Sequence, residues 1–493
     1  MRATFWISIL VFISLFGFVA CDGWTGPDPS DPSDPNSPAQ NPPKLTSVSP
    51  TANNSSVNLG NSITATFDKR MNSGSAGTFV VYGYKTGKLT GLYTGGESQT
   101  LRFNPDFAFK TGEILEVILT DSLKATDGTS LATPFVYRFR AEALAGTGVY
   151  AAGDTILGQS GARGLATGDW DDDGDSDLAV ANFSGSTVVI MKNDGLGTFS
   201  TIGGTIIGQS GASAVVALDK DGDGDLDLAV ANDGSSAVDI LENNGSGNFS
   251  SVSVIIGQSN ARGLATGDWD GDGDLDLAVA NFGDSEVAIL ENDGTGSFAD
   301  VESTIGLAGA TALASGDWDG DGDLDLAVAN SSGNSVVVLD NDGDGGFTGA
   351  GTIDSQSGAT ALAAGDWDTD GDLDLAVANK TAGVGEVAIL QNDGTGVFAD
   401  VAAVGGMTGA SAVVALDWDA DGDLDLAVAN FTANSVDVLE NDPTGTFTFK
   451  NTNGGQTGAS ALAAGDWDAD DALDLAVANS GLDNVKTLEN DIP

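Results

Sequence analysis

Gly267-Asp268-Trp269-Asp270-Gly271-Asp272-Gly273-Asp274-Leu275-Asp276-Leu277-Ala278-Val279-Ala280-Asn281 is the stretch that decides the fold, and near-copies of it occur seven times. Counted from Asp268 as position 1, aspartates stand at positions 1, 3, 5, 7 and 9, and a glycine stands at position 6. Carboxylates this close together repel one another unless a cation lies among them. Oxygen ligands without His or Cys suit a hard ion, above all Ca²⁺. Gly273 permits the positive φ that a chain needs to wrap around an ion.

The seven copies define seven candidate metal sites, with side-chain ligands expected at positions 1, 3, 5 and 9. The residue at position 7 is expected to offer its backbone carbonyl, and it is itself an aspartate in the first six copies. The candidates, copy by copy, are Asp169, Asp171, Asp173, Asp175 and Asp177; Asp219, Asp221, Asp223, Asp225 and Asp227; Asp268, Asp270, Asp272, Asp274 and Asp276; Asp317, Asp319, Asp321, Asp323 and Asp325; Asp366, Asp368, Asp370, Asp372 and Asp374; Asp417, Asp419, Asp421, Asp423 and Asp425; and Asp466, Asp468, Asp470 and Asp474.

An EF-hand loop begins in the same way, but it requires a bidentate Glu at position 12 and a helix on each side. Position 12 is Val279, which lies within a short apolar run. The flanks, residues 263–266 and 277–280, are too short for helices and are bounded by Gly and Asn, so they are predicted to be strands. The sequence therefore predicts a Ca²⁺ loop inside a β-hairpin.

The first aspartates of the seven loops are separated by 50, 49, 49, 49, 51 and 49 residues, and a period near 50 indicates one supersecondary unit per repeat. The fourth repeat shows four predicted strands, which are A (312–315), B (326–329), C (335–339) and D (347 to about 353). Asn341-Asp342-Gly343 supplies turn residues between strands C and D. Four short strands in each of seven repeats predict the blades of a β-propeller.

Both ends of the repeat array favour a closed ring over an open solenoid. The seventh repeat stops at residues 489–491, where its strand D would begin. Residues 149–160, ahead of the first repeat, match the strand D that begins at Phe199. The first strand of the array is therefore predicted to complete the last blade, which would hide both sheet edges.

The pattern Gly-Asp-x-Asp-x-Asp-Gly-x-x-Asp-Leu resembles the FG-GAP/VCBS repeat of the integrin α-subunit propeller and of many bacterial surface proteins. The resemblance covers about residues 146–493, and it implies a seven-bladed propeller with Ca²⁺ in the loops between strands A and B. The seventh loop departs from the pattern, because Asp471 replaces the glycine at position 6, and a strained, weaker site is expected there. In the second loop Lys220 replaces the Trp of the six other copies, and a cation beside the ion is expected to weaken that site.

The chain starts with Met1-Arg2 and an apolar run from Phe5 to Ala20, so residues 1–20 are predicted to be a secretory signal peptide. Cys21 follows directly and is the only cysteine of the chain. This boundary resembles a bacterial lipoprotein signal, which implies lipidation of Cys21; a buried or incidental cysteine and an uncleaved anchor are the alternatives. Residues 21–43 are rich in Pro, Asp and Ser and predict a semi-extended tether.

Residues 44–143 contain short alternating segments, such as 62–67, 78–82 and 114–119, which predict a β-sandwich of about seven strands. Ser49-Pro50 and Phe103-Asn104-Pro105 resemble the bacterial Ig-like domain of S-layer type, which is mostly a spacer in that family. The predicted fold class is therefore all-β. A small Ig-like β-sandwich is followed by a seven-bladed β-propeller over residues 146–493.

Negative charge is concentrated in the repeats, since residues 146–493 contain 60 acidic and 7 basic residues. Nucleic acid and anionic membrane surfaces are poor partners for such a surface, so membrane attachment is assigned to the lipid. The chain has no His, which excludes His-dependent triads and His–Zn sites. Each dense carboxylate pair belongs to a repeated loop, so glycosidase chemistry by paired carboxylates is not expected and no enzyme is predicted.

The loops between strands B and C are predicted to emerge on the face opposite the calcium loops, and they vary from blade to blade. Variable loops on a rigid scaffold are common binding sites, although drift without a ligand is an equal alternative. Arg163 and Arg262 stand at the start of strand A in blades one and three. They are expected either to reach an anionic ligand near the channel mouth or to pair with nearby aspartates. The Trp at loop position 2 is expected to pack rather than to stack on sugars.

Three functions fit these features. The first is a calcium-stabilised, lipid-anchored protein of the bacterial cell envelope, at the outer membrane or cell surface, that serves adhesion or binds an unknown extracellular protein or glycan. The alternatives are a polysaccharide-processing enzyme or its accessory subunit, and a scaffold that only spaces partners. About seven structural Ca²⁺ ions are expected.

Overall fold

The structure is a computed structural model that describes residues 41–146, 150–380 and 385–490. The predicted signal peptide, Cys21 and most of the predicted tether lie outside these residues. From Pro43 onward the chain forms one compact unit. No helix among the described residues has the length and apolar character that crossing a bilayer requires.

The first part of this unit is a β-sandwich of two antiparallel sheets, which confirms the predicted Ig-like fold. Its strands are β1 (Leu45–Ser49), β2 (Ile63–Phe67), β3 (Phe79–Gly83), β4 (Gly87–Lys88), β5 (Gly91–Thr94), β6 (Thr100–Pro105), β7 (Ile114–Leu119) and β8 (Phe135–Arg140). The sheet orders are β1-β2-β6-β5 and β4-β3-β7-β8, and a 3₁₀ helix, Ser73–Thr78, precedes β3. Alternation along β2 buries Ile63, Ala65 and Phe67 in the core between the sheets.

Seven four-stranded antiparallel sheets follow, and each is one blade. Strand A of the successive blades is β10 (Ala162–Gly168), β14 (Ala212–Leu218), β18 (Ala261–Gly267), β22 (Ala310–Gly316), β26 (Ala359–Gly365), β30 (Ala410–Leu416) and β34 (Ala459–Gly465). Strand B is β11 (Asp177–Asn182), β15 (Asp227–Asn232), β19 (Asp276–Asn281), β23 (Asp325–Asn330), β27 (Asp374–Asn379), β31 (Asp425–Asn430) and β35 (Asp474–Asn479).

Strands C and D form the outer half of each blade. Strand C is β12 (Thr187–Asn193), β16 (Ala237–Asn243), β20 (Glu286–Asn292), β24 (Ser335–Asn341), β28 (Glu386–Asn392), β32 (Ser435–Glu440) and β36 (Asn484–Glu489). Strand D of blades one to six is β13 (Phe199–Ile207), β17 (Phe249–Ile256), β21 (Phe298–Ile305), β25 (Phe347–Asp354), β29 (Phe398–Gly405) and β33 (Thr448–Gly454). In the fourth blade, all four strands lie where the sequence predicted them.

The seventh blade takes its outermost strand from the start of the array, as the sequence predicted. Strand β9 (Ala151–Leu157) pairs antiparallel with β36 and completes the sheet β34-β35-β36-β9. The register joins Val485 to Ile156 and Glu489 to Ala151. The ring is therefore closed by hydrogen bonds between its two ends, and the seventh blade has four strands like the other six.

Strand B has the sequence Asp-Leu-Ala-Val-Ala-Asn in every blade, and all six residues are buried each time. A strand that is apolar on both faces belongs in the middle of a packed sheet. Small alanines alternate with Leu and Val, which lets neighbouring blades approach closely around the ring axis.

The loop tryptophans join neighbouring blades, as expected for packing residues. Trp269 of blade three is 1% exposed, and its ring lies 6.3 Å from Phe347 of blade four at an angle of 69°. Trp170, Trp318, Trp367 and Trp467 each meet a Phe of the following blade in the same way. A hydrogen bond also joins each pair of neighbouring blades. Each blade has an Asn at the end of strand C or directly after it, and the side-chain amide of this Asn donates to the backbone carbonyl of loop position 2 in the preceding blade. The distance is 2.7–2.9 Å in all seven cases.

Candidate metal centres and the channel of the ring

Each candidate metal loop is held between strands A and B, with position 1 directly after strand A and position 9 at the first residue of strand B. In blades one to four the carboxylate oxygens of positions 1, 3 and 9 lie within 4.8 Å of one another. The structure thus brings together residues that the sequence separates by up to eight positions. These clusters are Asp169, Asp171 and Asp177; Asp219, Asp221 and Asp227; Asp268, Asp270 and Asp276; and Asp317, Asp319 and Asp325.

Backbone amides shape the loop around these carboxylates. In every blade the position-1 carboxylate accepts a hydrogen bond from the amide of position 6, at 3.0–3.3 Å. The position-5 carboxylate accepts one from the amide of position 7, at 2.9–3.1 Å. Each loop therefore curls so that its carboxylates stay on the concave side.

The aspartate at position 9 is deeply buried, with an exposure of 0–2% in all seven blades. In blades one and three, one of its oxygens accepts a hydrogen bond from the backbone amide of the Asn that ends strand C, and the other accepts one from the backbone amide of position 2. Burial raises the pKa of this carboxyl in every blade, because desolvation disfavours its charged form. The pKa rises to about 7 for Asp177, Asp227 and Asp374, to about 8 for Asp325 and Asp474, to about 9 for Asp425, and well above its usual value for Asp276.

The donor set fits a bound divalent cation. Oδ1 of Asp171, Asp221 and Asp368, all at position 3, is buried without a hydrogen-bond partner. A buried carboxylate oxygen without a partner is costly, and here it stands beside two further carboxylates. An ion among them would satisfy this oxygen and remove the repulsion that accompanies ionisation. The ligand atoms are all oxygen, which suits Ca²⁺ rather than a softer metal.

In blades one to five, the side chains of the aspartates at position 7 lie against the turn between strands C and D of their own blade. A Cβ added to Gly294, in the turn between strands C and D of blade three, would lie 2.3 Å from Oδ2 of Asp274. The position-7 side chain of Asp274 therefore faces this neighbouring turn, which leaves its backbone carbonyl for the loop. This agrees with the expectation that position 7 contributes through its backbone, and the same placement recurs for Asp175, Asp225, Asp323 and Asp372.

A further acidic residue, which the sequence reasoning missed, joins the cluster from strand C. The Asp340 carboxylate lies within 4.8 Å of those of Asp319 and Asp321. This residue could have been found in the sequence, because it directly precedes the Asn at the end of strand C. The residues at this place in blades one to seven are Lys192, Glu242, Glu291, Asp340, Gln391, Glu440 and Glu489.

Blades one and two carry a cation of their own at the cluster. In blade one Lys192 hydrogen-bonds Asp171 and lies 2.6 Å from Oδ2 of Asp173. In blade two the ammonium of Lys220 lies 2.7 Å from Oδ2 of Asp221 and 3.8 Å from Oδ2 of Asp227. An ammonium in this position competes with a metal ion for the same oxygens. The structure therefore adds blade one to the blades in which weaker metal binding is expected.

Replacing Lys192 with Glu is expected to strengthen metal binding in blade one. The change removes a competing cation and supplies the acidic residue that Glu242 and Glu291 supply in other blades, so we expect affinity at this site to rise by about tenfold or more. Calorimetric titration of the calcium-depleted protein with Ca²⁺ measures the change. Lys486→Ala, which removes a cation elsewhere on a strand C, is the matched control; equal titrations for both variants would contradict the role given to Lys192.

The seventh loop keeps the geometry of the others despite its lost glycine. Asp471 has a φ of +68°, whereas the glycines at this position have φ of +99° to +103°. Its amide still donates to Asp466, and its carboxylate accepts a hydrogen bond from Thr111 of the sandwich at 3.1 Å. An aspartate therefore occupies the left-handed conformation here, as the sequence predicted, and a contact from the sandwich supports it.

The sandwich covers the face of the ring that carries the metal loops. At six of the seven loops, the sandwich or the segment after it donates a hydrogen bond to the carbonyl of position 6. Lys110 donates to Gly174, Tyr82 to Gly273, Val136 to Gly322, Asn53 to Gly371, Ser55 to Gly422, and Leu144 to Asp471. In the remaining loop, of blade two, the amide of Lys88 donates to the position-1 carboxylate of Asp219 at 3.0 Å.

A buried ion pair lies at the centre of this contact. Arg138 and Glu116 are 2.6 Å apart, and the Glu116 side chain is fully buried. Arg138 also donates to the carbonyls of Thr266 and Ser315 at 3.0 and 3.1 Å, and Glu116 accepts the amide of Asp268 at 3.0 Å. The sequence predicted a spacer for this domain, but these contacts fix it across the channel of the ring.

The channel is consequently open at one end. Near the sandwich its wall is formed by strand A residues together with Tyr84, Lys85, Arg138 and Arg140. At the opposite end a cavity of about 770 Å³ opens between the loops that join strands B and C and strands D and A. This end, which we term the mouth, carries the loops that differ most between blades.

Comparison with known proteins gives the following matches. The model for the FG-GAP-like repeat matches residues 169–230, 219–279, 268–328, 317–377, 368–428 and 417–477, and that for a bacterial Ig-like domain matches residues 39–141. No curated protein matches the chain. Among solved structures, virginiamycin B lyase from Staphylococcus aureus is 11% identical over 69% of this chain and 99% of its own, with a TM-score of 0.47. A protein from Lactobacillus plantarum is 15% identical over 78% and 98%, with a TM-score of 0.48. BBS1N, from its complex with ARL6DN, is 15% identical over 69% and 97%, with a TM-score of 0.49.

Proposed function

We propose, from the premise that this chain belongs to the family of FG-GAP-like repeat proteins, that it is a calcium-stabilised adhesion or ligand-binding protein of the bacterial cell envelope. The repeats and the bacterial Ig-like domain fit an extracellular or cell-surface protein. In this proposal a lipid on Cys21 anchors the chain to the outer membrane or cell surface. Residues 21–43 then hold the folded part away from the membrane.

Calcium serves as a structural staple in this proposal. Each loop would hold one ion through the carboxylates of positions 1, 3, 5 and 9 and the carbonyl of position 7. The partnerless carboxylate oxygens at position 3 support this, as does the repetition of the loop in every blade. Extracellular calcium modules commonly bind at about 10⁻⁴ to 10⁻³ M, an affinity that suits constant occupancy outside a cell.

Ligand binding is assigned to the mouth of the channel. The observation that carries this assignment is the contrast between the two faces of the ring: one is covered by the sandwich through hydrogen bonds at all seven loops, whereas the other opens into a cavity. The cavity volume lies in the range common for ligand sites. The ligand would be an extracellular protein or a glycan.

The experiment is a binding screen with the folded protein in calcium. The immobilised protein is exposed to a glycan array and to extracellular proteins, with EGTA as the parallel condition. We expect calcium-dependent binding to at least one ligand. A correctly folded, calcium-loaded protein that binds nothing in either screen would refute the ligand-binding function and leave the scaffold alternative.

The enzyme alternative is separated by a second measurement on any glycan that binds. Incubation with the protein followed by product analysis tests for cleavage. Binding without turnover supports the adhesion proposal, whereas release of shorter products would favour a polysaccharide-processing enzyme.

A further inference from the structure

The mouth breaks the sevenfold repetition of the ring at the second residue of strand A. In five blades this residue is Ser or Thr, and its hydroxyl bridges two carbonyls, one on its own strand B and one on strand A of the next blade, at 2.6–3.1 Å. The bridging residues are Ser213, Thr311, Thr360, Ser411 and Ser460. Blades one and three carry Arg163 and Arg262 instead. These two blades therefore forgo a contact between blades and place a cation at the cavity.

Each cation of the mouth lies on an aromatic ring from a loop between strands B and C. The guanidinium carbon of Arg163 is 3.5 Å from the ring centre of Phe183, and that of Arg262 is 3.6 Å from Phe282. Across the cavity, the ammonium of Lys380 is 4.5 Å from the ring centre of Phe431. Stacking of this kind fixes the direction of a long side chain. Three of the seven basic residues of the ring thus meet at one cavity.

Acidic residues of the mouth offset part of this positive charge, because Asp233 lies beside Arg262 and because Asp284 and Asp483 lie on exposed loops between strands B and C. Oδ2 of Asp233 lies 3.4 Å from Nε of Arg262, yet this buried nitrogen makes no hydrogen bond. Burial lowers the pKa of Lys380, and the nearby charge of Arg163 lowers it further. Burial lowers the pKa of Arg163, and the nearby charge of Asp233 counteracts this effect. Interaction with aspartate, one of the two alternatives for the arginines, therefore offsets part of the charge of both Arg163 and Arg262. Among the described residues, the wall of the cavity itself carries Arg163, Arg262 and Lys380 and no acidic side chain, which favours an anionic group there.

We propose that the mouth binds the acidic end of a glycan, with the carboxylate of a terminal uronic acid held by Arg163 and Arg262 and with Lys380 facing it across the cavity. This inference rests on the proposed ligand-binding function. The acid must be terminal, because the rest of the ring is strongly negative and would repel a polyanion. Guanidinium groups suit a carboxylate because their planar donors match its two oxygens.

A sugar fits the cavity wall better than a peptide terminus does. The five bridging hydroxyls line the cavity, and each commits its single proton to backbone carbonyls, so its oxygen remains an acceptor for an incoming donor. A sugar ring carries several hydroxyl donors at short intervals, whereas a peptide terminus offers few. A peptide with a free carboxyl end is therefore the competing ligand that the experiment must include.

The test compares four probes in calcium: an oligosaccharide ending in glucuronic acid, the same chain ending in glucose, a peptide with a free carboxyl terminus, and its amide. The variant is the double substitution Arg163→Ser and Arg262→Ser. Serine is the residue that blades two, six and seven carry at this position, so the variant is expected to fold and to regain the bridging hydrogen bonds. Lys486→Ala, which removes a cation outside the cavity, is the control.

We expect the glucuronic acid probe to bind at least about tenfold more tightly than the glucose probe, and the double variant to lose at least about tenfold in that affinity. Lys486→Ala should bind as the unchanged protein does. Equal binding of the acidic and neutral sugars, preference for the peptide, or unchanged binding by the double variant would each overturn this inference while leaving a ligand-binding function intact. Absence of any ligand in the wider glycan and protein screen would instead refute the proposed function itself.

Discussion

Removal of calcium with EGTA at pH 8 is expected to lower the melting temperature of the protein by more than about 10 °C. An ion that binds only the folded state at 10 to 100 times its dissociation constant stabilises that state by about 1.4 to 2.7 kcal/mol per site. If roughly five or more loops are occupied, their sum approaches the whole stability of an ordinary domain, about 5–15 kcal/mol. The loss also exposes each buried position-9 carboxylate to repulsion from the other carboxylates of its own loop.

The response to pH should reverse when calcium is removed. In the calcium-free protein the folded-state pKa of the position-9 aspartates is raised, to about 7 for Asp177 and about 9 for Asp425, above the usual unfolded value of about 3.9. The folded state then binds more protons than the unfolded state, so stability is fully present below about pH 4 and is lost as the pH rises through about 7 to 9. With calcium bound, protons compete with the ions, and stability should instead fall as the pH falls.

Scanning calorimetry from pH 5 to pH 8 measures both effects, with excess calcium or with protein that has been depleted of calcium by EGTA at pH 8 and transferred into calcium-free buffer. Magnesium added together with EGTA is the control for ionic strength and for non-specific divalent binding. A melting temperature that does not depend on EGTA would contradict a role of calcium in the stability of the ring. The same change of melting temperature with pH in both conditions would also contradict it.

Arg138→Ala is expected to lower the free energy of unfolding by about 3–5 kcal/mol, because it leaves the buried Glu116 carboxylate without its partner. The Arg138 side chain also loses its hydrogen bonds to Thr266 and Ser315 of the ring. The sandwich should therefore become easier to detach from the loop face. Denaturant unfolding gives the loss of stability, and limited proteolysis of the sandwich in the presence of calcium reports its detachment.

Lys69→Ala provides the comparison within the same domain. Lys69 pairs with Asp127, whose side chain is 46% exposed, and an exposed pair contributes at most about 1 kcal/mol. If Arg138→Ala costs no more than Lys69→Ala, and if proteolysis of the sandwich is unchanged, then the sandwich does not depend on this ion pair for its place on the ring.

The parts of the fold that follow from local pattern could be predicted from the sequence. The spacing of aspartates around Gly273 gave the hairpin loop, and the repeat period gave the blades. The match between the segment before the first repeat and the later D strands gave the closure through β9. Each of these features is encoded within a single repeat or in a comparison of repeats.

The parts that depend on contacts between distant segments could not be predicted. Nothing near Tyr82 or Asn53 indicates that these residues bond the loops of blades three and five. Lys192 and Asp340 reach the carboxylate clusters only because strand C returns beside the A–B loop. The stacking of Arg163 on Phe183 likewise joins two different loops, so the sequence left its two interpretations open.

The calcium content of the purified protein tests the central claim most directly. The protein is dialysed to equilibrium against about 10 mM CaCl₂, about ten times the upper dissociation constant of extracellular modules, and elemental analysis compares the calcium on the two sides of the membrane. We predict roughly four to seven Ca²⁺ ions per chain, with any shortfall from seven in blades one, two and seven. A folded protein with no bound calcium above the dialysis buffer would contradict the claim that metal ions in the carboxylate loops hold the blades.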